Sequence, residues 1–229
     1  MARLYLFAEG QTEQTFANIL LKPHLSLYQV YMQNSVLIAH AKKKGRMHRG
    51  GGRKYMPMKN DILRFLRQEK SSDVFFTTMI DLYALHPEFP GLHQSESIRQ
   101  NPVQRVEFLE QCFFEDIGDQ RFIPYLQLHE YEAYLFSDPE CFKDLPDTCP
   151  EKIGELKAIA DKYLTPELID DGQDTAPSKR IKGICPSYEE SKPFFGVLLA
   201  ERIGLQTIRN KCPHFNRWLS QLESLNEEL

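Results

Sequence analysis

Apolar runs alternate with amphipathic segments over the first 145 residues of the chain. Four short apolar runs are bounded by charges or turn residues, which is typical of buried strands; they cover residues 3–8, 28–40, 72–81 and 122–128. Between them, apolar residues recur at helical spacing in three segments; these are residues 11–22, 59–69 and 101–118. The order β-α-β-α-β-α-β predicts an α/β fold with a mostly parallel sheet flanked by helices.

The pattern changes after residue 145, where helical spacing replaces the strand-like runs. Three further helices are predicted, within residues 150–164, 188–204 and 212–229. The polar segment 165–188 contains prolines and is predicted to be a long loop. We therefore predict an α/β domain over residues 1–145 and a helical C-terminal cap packed on it over residues 146–229.

Composition narrows the class of protein. The chain of 229 residues is 41% hydrophobic and 26% charged, which is typical of a globular protein with a core. No window reaches the roughly 18 apolar residues of a membrane span, and no secretory signal is apparent. The five cysteines contain no Cys-x-x-Cys pair. We therefore expect a cytoplasmic protein that does not bind membranes and has no disulfide framework or zinc ribbon.

Acidic residues follow three of the four predicted strands. Glu9 follows the first, Asp81 the third, and Glu130 with Glu132 the fourth, while Glu13 lies one turn into the first helix. Because the carboxyl ends of parallel strands meet at one edge of a sheet, we expect these side chains to lie close together. Such a cluster requires cations, and hard oxygen ligands favour Mg²⁺ or Mn²⁺. The pattern predicts a metal site that hydrolyses phosphodiesters.

These acids also have simpler explanations. Glu13 is suited to stabilise the start of its helix through the helix dipole. Glu130 and Glu132 would share a face in a strand, but in a helix only one of them could serve as a ligand, and Glu130 is the favoured one. His129 is a candidate proton shuttle, although a histidine at a strand end is also explained by structure alone.

The segment 41–55 carries seven Lys and Arg residues, one His and no acid, although the whole chain has a net charge of -4. Three consecutive glycines, residues 50–52, predict a flexible segment. Such a segment can bind a nucleic-acid backbone through its cations; these are Lys42, Lys43, Lys44, Arg46, Arg49 and Arg53. The alternative is a solvated loop without a ligand. In the second half, Lys179 or Arg180 is a candidate to stabilise phosphate charge.

The strand that ends in Glu9-Gly10, the later strand that ends in Asp81 and the element order together resemble a Toprim domain. The spacing Glu9-x-x-x-Glu13 is most similar to Toprim nucleases of the overcoming-lysogenization-defect (OLD) type. A prokaryotic family of Toprim-like proteins is similar over nearly the whole chain, through the segments FAEGQTE, TTMIDLYALHPEFPG, GDQRFIPYLQLHEYEAYLFSD, DTAPSKRI and CPHFNRWL. Members of that family are often encoded beside an ABC-like ATPase.

The resemblance implies a nuclease that uses Mg²⁺ or Mn²⁺ and acts with an ATPase partner in anti-phage defence. It implies catalytic roles for Glu9 and Asp81 and selects Lys179 because OLD-type nucleases use a lysine downstream of their acids. We expect Glu9, Asp81 and Glu130 to be the metal ligands, with Glu13 and Glu132 as supporting or second-metal ligands. Toprim domains usually carry Asp-x-Asp after the third strand, whereas this chain has Tyr83 at the second position. Either Glu130 or Glu132 supplies the missing ligand, or one ion is bound, or catalysis has been lost.

Two other functions remain open. A non-catalytic Toprim-like subunit that regulates an ATPase would keep the sheet without the chemistry, and phosphoryl or nucleotidyl transfer to a small nucleotide is the third option. ATP hydrolysis by this chain is not expected, because the Gly-rich segment lacks the spacing of a P-loop. DNA and RNA are equally compatible with the pattern, and so are a monomer and a homo-oligomer.

Overall fold

The computed structural model describes residues 1–43, 46–49, 54–83, 85–169, 172 and 174–227, with the backbone alone at 39–43 and 46–49. The chain forms two compact units. The first comprises Met1–Leu126 with Leu219–Leu229, and the second comprises Gln127–Trp218. The division into domains at residue 145 stays a prediction.

The first unit contains a six-stranded sheet, whose strands are β1 (Ala2–Ala8), β2 (Val30–Met32), β3 (Val36–Leu37), β6 (Val74–Asp81), β7 (Phe122–Ile123) and β8 (Leu126–Gln127). β1 lies at its centre and pairs in parallel with β2, β3 and β6. β6 pairs in parallel with β7, and β8, which begins with the last residue of the stretch Met1–Leu126, also pairs with β6. A separate antiparallel hairpin joins β4 (Ala39–Lys43) to β5 (Arg46–Arg49). The predicted mostly parallel sheet is confirmed.

Helices flank this sheet as predicted. They are α1 (Gln11–Phe16), α2 (Lys22–Ser26), α3 (Tyr55–Gln68), α4 (Leu92–Ser95) and α5 (Pro102–Ile117), with a 3₁₀ turn at Glu96–Ile98. The core between layers is aromatic: Tyr5 stacks on Phe76 at 5.5 Å, and Phe65 of α3 meets Phe7 edge-on at 5.3 Å. Burial of these large side chains against the sheet is the main stabilising contribution in this layer.

Three boundaries in the first unit differ from the predictions. The predicted strand 28–40 is divided into β2, β3 and the start of β4, because β1 pairs with two short pieces of it. The predicted strand 122–128 is interrupted at Pro124, which has no N–H for the ladder. The helix predicted to end at residue 22 continues beyond it, because a π-helical turn at Ala17–Leu21 leads directly into α2, which begins at Lys22 and includes Pro23 in its first turn. A proline near the first position of a helix removes no required donor.

Arg121, just before β7, binds the end of α3. Its guanidinium donates to the carbonyl oxygens of Leu66, at 3.1 Å, and Glu69, and it pairs with Asp119 at 2.8 Å. The guanidinium carbon also lies 5.4 Å from the centroid of the Phe76 ring. Because the last carbonyl groups of a helix have no partner within it, this single side chain terminates α3 and attaches it to the sheet.

The second unit is helical in its described residues and contains only Gln127 of β8 as strand. Its 3₁₀ segments are Tyr131–Ser137, Pro139–Asp144 and Pro166–Leu168. Its helices are α6 (Pro150–Ala160), α7 (Pro177–Ile184), α8 (Ser187–Glu190), α9 (Lys192–Ile203), α10 (Leu205–Lys211) and the beginning of α11 (Pro213–Ser224). Buried aromatic rings form its core, including Tyr131, Tyr134, Phe215 and Trp218.

The prediction of a loop at 165–188 is wrong over α7, which lies within it. Pro177 occupies the first turn of α7, and proline there is preorganised for a helix. The predicted helix 188–204 is divided at Ser191, which separates α8 from α9 and adopts a non-helical conformation. Lys192 and Pro193 then begin the longer helix.

Glu167 holds the start of α11 within the second unit. Its carboxylate accepts the N–H groups of His214 at 2.9 Å and Phe215 at 2.8 Å, and the residue is 4% exposed. These are two of the donors that have no partner inside a helix. Burial raises the pKa of Glu167, and the hydrogen bonds from His214 and Phe215 oppose this effect only in part.

A Glu167→Gln variant should therefore change how stability depends on pH. The pKa of Glu167 in the folded protein lies above the ordinary value of 4.5. At pH values between 4.5 and this raised pKa, Glu167 therefore binds a proton in the folded protein that it does not bind in the unfolded chain. The contribution of Glu167 to the free energy of unfolding thus increases as pH falls from neutral towards 4.5. Urea unfolding across this range should show wild type gaining stability relative to the variant. Glu155→Gln, at an exposed position of α6, is the control; a difference between wild type and Glu167→Gln that does not change with pH would contradict this assignment.

In the described part of the chain, no helix is long and apolar enough to cross a membrane.

Candidate functional site

Glu9 and Asp81 lie side by side at the carboxyl ends of β1 and β6. The two strands are in register with Ala8 opposite Met79, and the N–H of Glu9 donates to the carbonyl of Met79 at 3.0 Å. The N–H of Asp81 donates to Oε2 of Glu9 at 3.0 Å. Both residues are partly exposed. The Glu9 carboxylate is therefore held across the end of β6, beside the backbone of Asp81.

This edge is also where the order of strands changes direction. From β1 the chain passes to β2 and β3 on one side and then returns to β6 on the other side of β1. In open parallel sheets, ligands bind outside the carboxyl ends of the strands at such a switch point. The position of Glu9 and Asp81 is therefore the expected ligand position of the first unit.

Glu13 binds the start of its own helix. Its Oε2 accepts the N–H of Gly10 at 2.8 Å, and the residue is 7% exposed. A Cβ atom at position 10 would lie 2.9 Å from Glu13 Oε2, so glycine permits this close approach. The contact is one half of a capping box and supports the structural explanation of Glu13.

Glu130 binds the start of α7 in the second unit. Its Oε2 accepts the N–H of Ser178 at 2.9 Å, and the residue is 6% exposed. Burial raises the pKa of Glu130, the charge of Glu132 adds to the rise, and hydrogen bonds from Ser178 oppose it. The preceding residue, His129, is buried and has a φ of 66°, which is uncommon for a residue with a side chain.

Glu132 lies on the 3₁₀ segment that follows and is fully buried. Its Oε1 accepts the hydroxyl of Tyr188 at 2.9 Å and the ammonium of Lys192 at 2.9 Å. Its Oε2 has no hydrogen-bond partner among the described residues. The ion pair with Lys192 compensates the cost of burying the Glu132 charge, so its burial does not require a metal ion.

Lys179 is the third residue of α7, and it is exposed. Because Glu130 binds the N–H of the neighbouring Ser178, the second unit brings two of the predicted site residues to the same helix start. The sequence did not identify Ser178, Tyr188 and Lys192 as partners of these acids. The Ala-Pro-Ser sequence at 176–178 could have revealed the helix start, whereas nothing in the sequence indicated the contacts of Tyr188 and Lys192.

The basic segment is described by its backbone alone. Lys42 and Lys43 end β4, and Arg46 and Arg49 lie at the two ends of β5, so a hairpin replaces the predicted loop in this part. Lys44 and Arg53 lie outside the described residues. Contact of these cations with a nucleic acid stays a prediction.

Glu9 and Asp81 have the donor chemistry that Mg²⁺ or Mn²⁺ requires, because both offer carboxylate oxygens on a partly exposed edge. Within the described ranges, no group of three or more His, Cys, Asp or Glu side chains is arranged to hold a metal ion. Tyr83, where Toprim domains usually carry an aspartate, is partly exposed. The convergence of all five acids on one metal site stays a prediction.

The fold and site define an α/β protein with a parallel sheet and a pair of carboxylate residues at the switch in strand order. A family profile matches residues 8–223, so the chain belongs to this family, which is described as a domain of unknown function (DUF4276). The solved C-terminal region of the Burkholderia pseudomallei OLD protein is similar over 100% of this chain and 98% of that chain, with 18% identity and a TM-score of 0.47. A search of curated proteins gives no match.

Proposed function

We propose that this chain cleaves phosphodiester bonds of nucleic acid with the help of Mg²⁺ or Mn²⁺. The observation that supports it best is the adjacency of Glu9 and Asp81 at the switch point of the sheet, joined by the 3.0 Å bond from the Asp81 N–H to the Glu9 carboxylate. Two acids on neighbouring strand ends, open to solvent, are suited to hold a hard divalent cation against an incoming phosphate.

Glu9 and Asp81 would be the principal ligands of the metal. When bound, such an ion supplies Lewis-acid activation of water and stabilises charge on the phosphoryl oxygens. The backbone of Asp81 fixes the position of the Glu9 carboxylate before any ligand arrives, which reduces the ordering cost of binding. Glu13, Glu130 and Glu132 are proposed as supporting or second-metal ligands, and their hydrogen bonds to helix starts or to Lys192 favour the supporting role.

Lys179 is proposed to stabilise negative charge on the phosphate. Glu130 binds the start of α7, and the Lys179 side chain is exposed, so its ammonium is accessible to an anion. The backbone of the substrate would be gripped by the cations of the basic segment, Lys42, Lys43, Lys44, Arg46, Arg49 and Arg53. An ABC-like ATPase is the proposed partner and anti-phage defence the proposed setting, both on the strength of the family resemblance.

The test is a cleavage assay with Mn²⁺, Mg²⁺ or a chelator, on single-stranded and duplex DNA and on RNA. We expect cleavage with either metal and none with the chelator. The assay should be repeated with the ATPase encoded beside the gene, because a nuclease that requires its partner is silent alone. Absence of metal-dependent cleavage under both conditions would refute the nuclease.

A second candidate is a non-catalytic subunit that regulates an ATPase. Tyr83 in place of an acid favours it, as do the structural contacts of Glu13 and Glu130. On this proposal the chain binds the ATPase and changes its rate of ATP hydrolysis, while Glu9→Gln and Asp81→Asn variants do so equally well. The two candidates therefore differ in whether the acids at the switch point matter.

A further inference from the structure

Positive charge in the chain continues from the basic segment into the helix that follows it. Residues 41–70 hold 11 of the 28 Lys and Arg residues but only two of the 32 Asp and Glu residues. The segment thus has a formal charge of about +9, against -4 for the whole chain. The second half of this segment is α3, whose side chains the structure describes.

Arg64 and Arg67 lie on the side of α3 that faces solvent, whereas Lys59 is half-buried and pairs with Asp116 at 2.8 Å. The buried side chains of this helix include Tyr55, Met58, Asp61, Ile62 and Leu66. The exposed positions Met56, Asn60, Arg64 and Arg67 follow one another at helical spacing, and Lys54 and Lys70 are exposed at the two ends. Of the two acids, Asp61 is buried and pairs with Arg64 at 2.5 Å, while Glu69 binds the Tyr5 hydroxyl at 2.9 Å. The outward side of α3 is therefore a basic stripe, defined by Lys54, Arg64, Arg67 and Lys70.

The direction of α3 relates this basic stripe to the acids of the switch point. Glu69, after the last residue of α3, contacts Arg3 and Tyr5, and one turn earlier Phe65 contacts Tyr5 and Phe7. The helix therefore runs opposite to β1, and its first half lies towards the carboxyl end of the sheet. From Lys54 to Arg67 the stripe is about 20 Å long, the axial span of about six phosphates of one DNA strand.

We propose that the basic stripe of α3 binds the phosphate backbone of the nucleic acid and directs it towards Glu9 and Asp81. The inference rests on the proposed nuclease function for the identity of the polyanion. A membrane surface fits less well, because an interfacial helix inserts an apolar face, whereas α3 has most of its large apolar side chains buried against its own unit. The long, partly exposed arginine side chains are suited to phosphate, which they bind in a bidentate manner.

The test measures binding without catalysis. Fluorescence anisotropy with a labelled DNA duplex, its single strand and the matching RNA is recorded in EDTA, at salt concentrations between about 50 and 200 mM. The variant is Arg64→Ala/Arg67→Ala. The control is Arg99→Ala/Arg202→Ala, which removes the same charge from two exposed arginines that pair with Glu96 and Asp144. Thermal unfolding confirms that both variants are folded.

We expect the α3 variant to bind the DNA duplex more weakly than wild type. The slope of log affinity against log salt should become shallower by about 2, because each lost phosphate contact removes about 0.9 from the slope. The control should keep the wild-type slope. Equal slopes for the two variants, or no binding of any of the three nucleic acids by wild type, would overturn the proposal. Hydrolysis of bis(p-nitrophenyl) phosphate with Mn²⁺ separates the nuclease proposal from the proposal for α3. This small diester should need Glu9 and Asp81 but not α3. If the wild-type protein does not hydrolyse it, that result counts against the nuclease alone.

Discussion

An Asp81→Asn variant is expected to lose metal-dependent phosphodiester cleavage by at least about 100-fold, since changing even the groups behind metal ligands costs 10- to 100-fold. The substitution removes the charge of the side chain and keeps its size. It also keeps the backbone N–H that binds Glu9 at 3.0 Å, so the Glu9 carboxylate should stay in place. The loss should therefore reflect the metal site rather than the fold.

Three measurements make this result specific. Initial cleavage rates with Mn²⁺ give the loss of activity, and calorimetric titration with Mn²⁺ should show weaker binding by the variant. Thermal unfolding without metal should match wild type. Glu9→Gln is expected to behave in the same way, while Asp174→Asn, at an exposed position of the second unit, should cleave normally. Near wild-type cleavage by Asp81→Asn would remove this edge of the sheet from the mechanism.

Replacement of Arg121 by alanine should be strongly destabilising, lowering the free energy of unfolding by about 2–4 kcal/mol. The guanidinium binds carbonyl groups of Leu66 and Glu69, the carboxylate of Asp119 and the face of Phe76. Alanine would leave the carbonyl groups at the end of α3 without these donors and remove the packing on the ring. The side chain is 19% exposed, so water can replace only part of the loss.

Urea unfolding monitored by circular dichroism measures this effect. Arg121→Lys should fall between wild type and Arg121→Ala, because an ammonium keeps the charge but cannot reproduce the planar fork of donors. Arg99→Ala, at a side chain that is 50% exposed, should change stability by no more than about 0.5 kcal/mol. An Arg121→Ala protein as stable as wild type would show that α3 is held by its apolar contacts alone.

The sequence was sufficient for elements whose pattern is local. β1 and β6 are mostly apolar because both faces of a central parallel strand are largely covered, and α5 shows clear helical spacing with Gly118 at its end. Residues 28–40 could not be divided correctly, because their division depends on which residues of β1 they pair with. α7 was missed because its exposed polar residues conceal a short helix.

The candidate site was likewise predictable only where it depends on the order of the strands. Glu9 and Asp81 follow uninterrupted strands, so their meeting at one edge followed from the parallel order. The partners of Glu130 and Glu132 were not predictable, since Ser178, Tyr188 and Lys192 lie about 50 to 60 residues further along the chain. Only the folded second unit shows that these buried acids bind a helix start and an ammonium group.

Three of the carboxylates described above, those of Glu13, Glu130 and Glu167, bind helix starts over different distances in sequence. Glu13 binds Gly10, three residues away in the sequence. Glu130 binds Ser178, 48 residues away, and Glu167 binds His214, 47 residues away. Because closing a longer segment costs more chain entropy, the start of α1 can form early in folding, and the starts of α7 and α11 form late. Lys179 therefore acquires its position only after a segment of 48 residues has closed, a step comparable in chain entropy to the closure of 72 residues that brings Asp81 to Glu9.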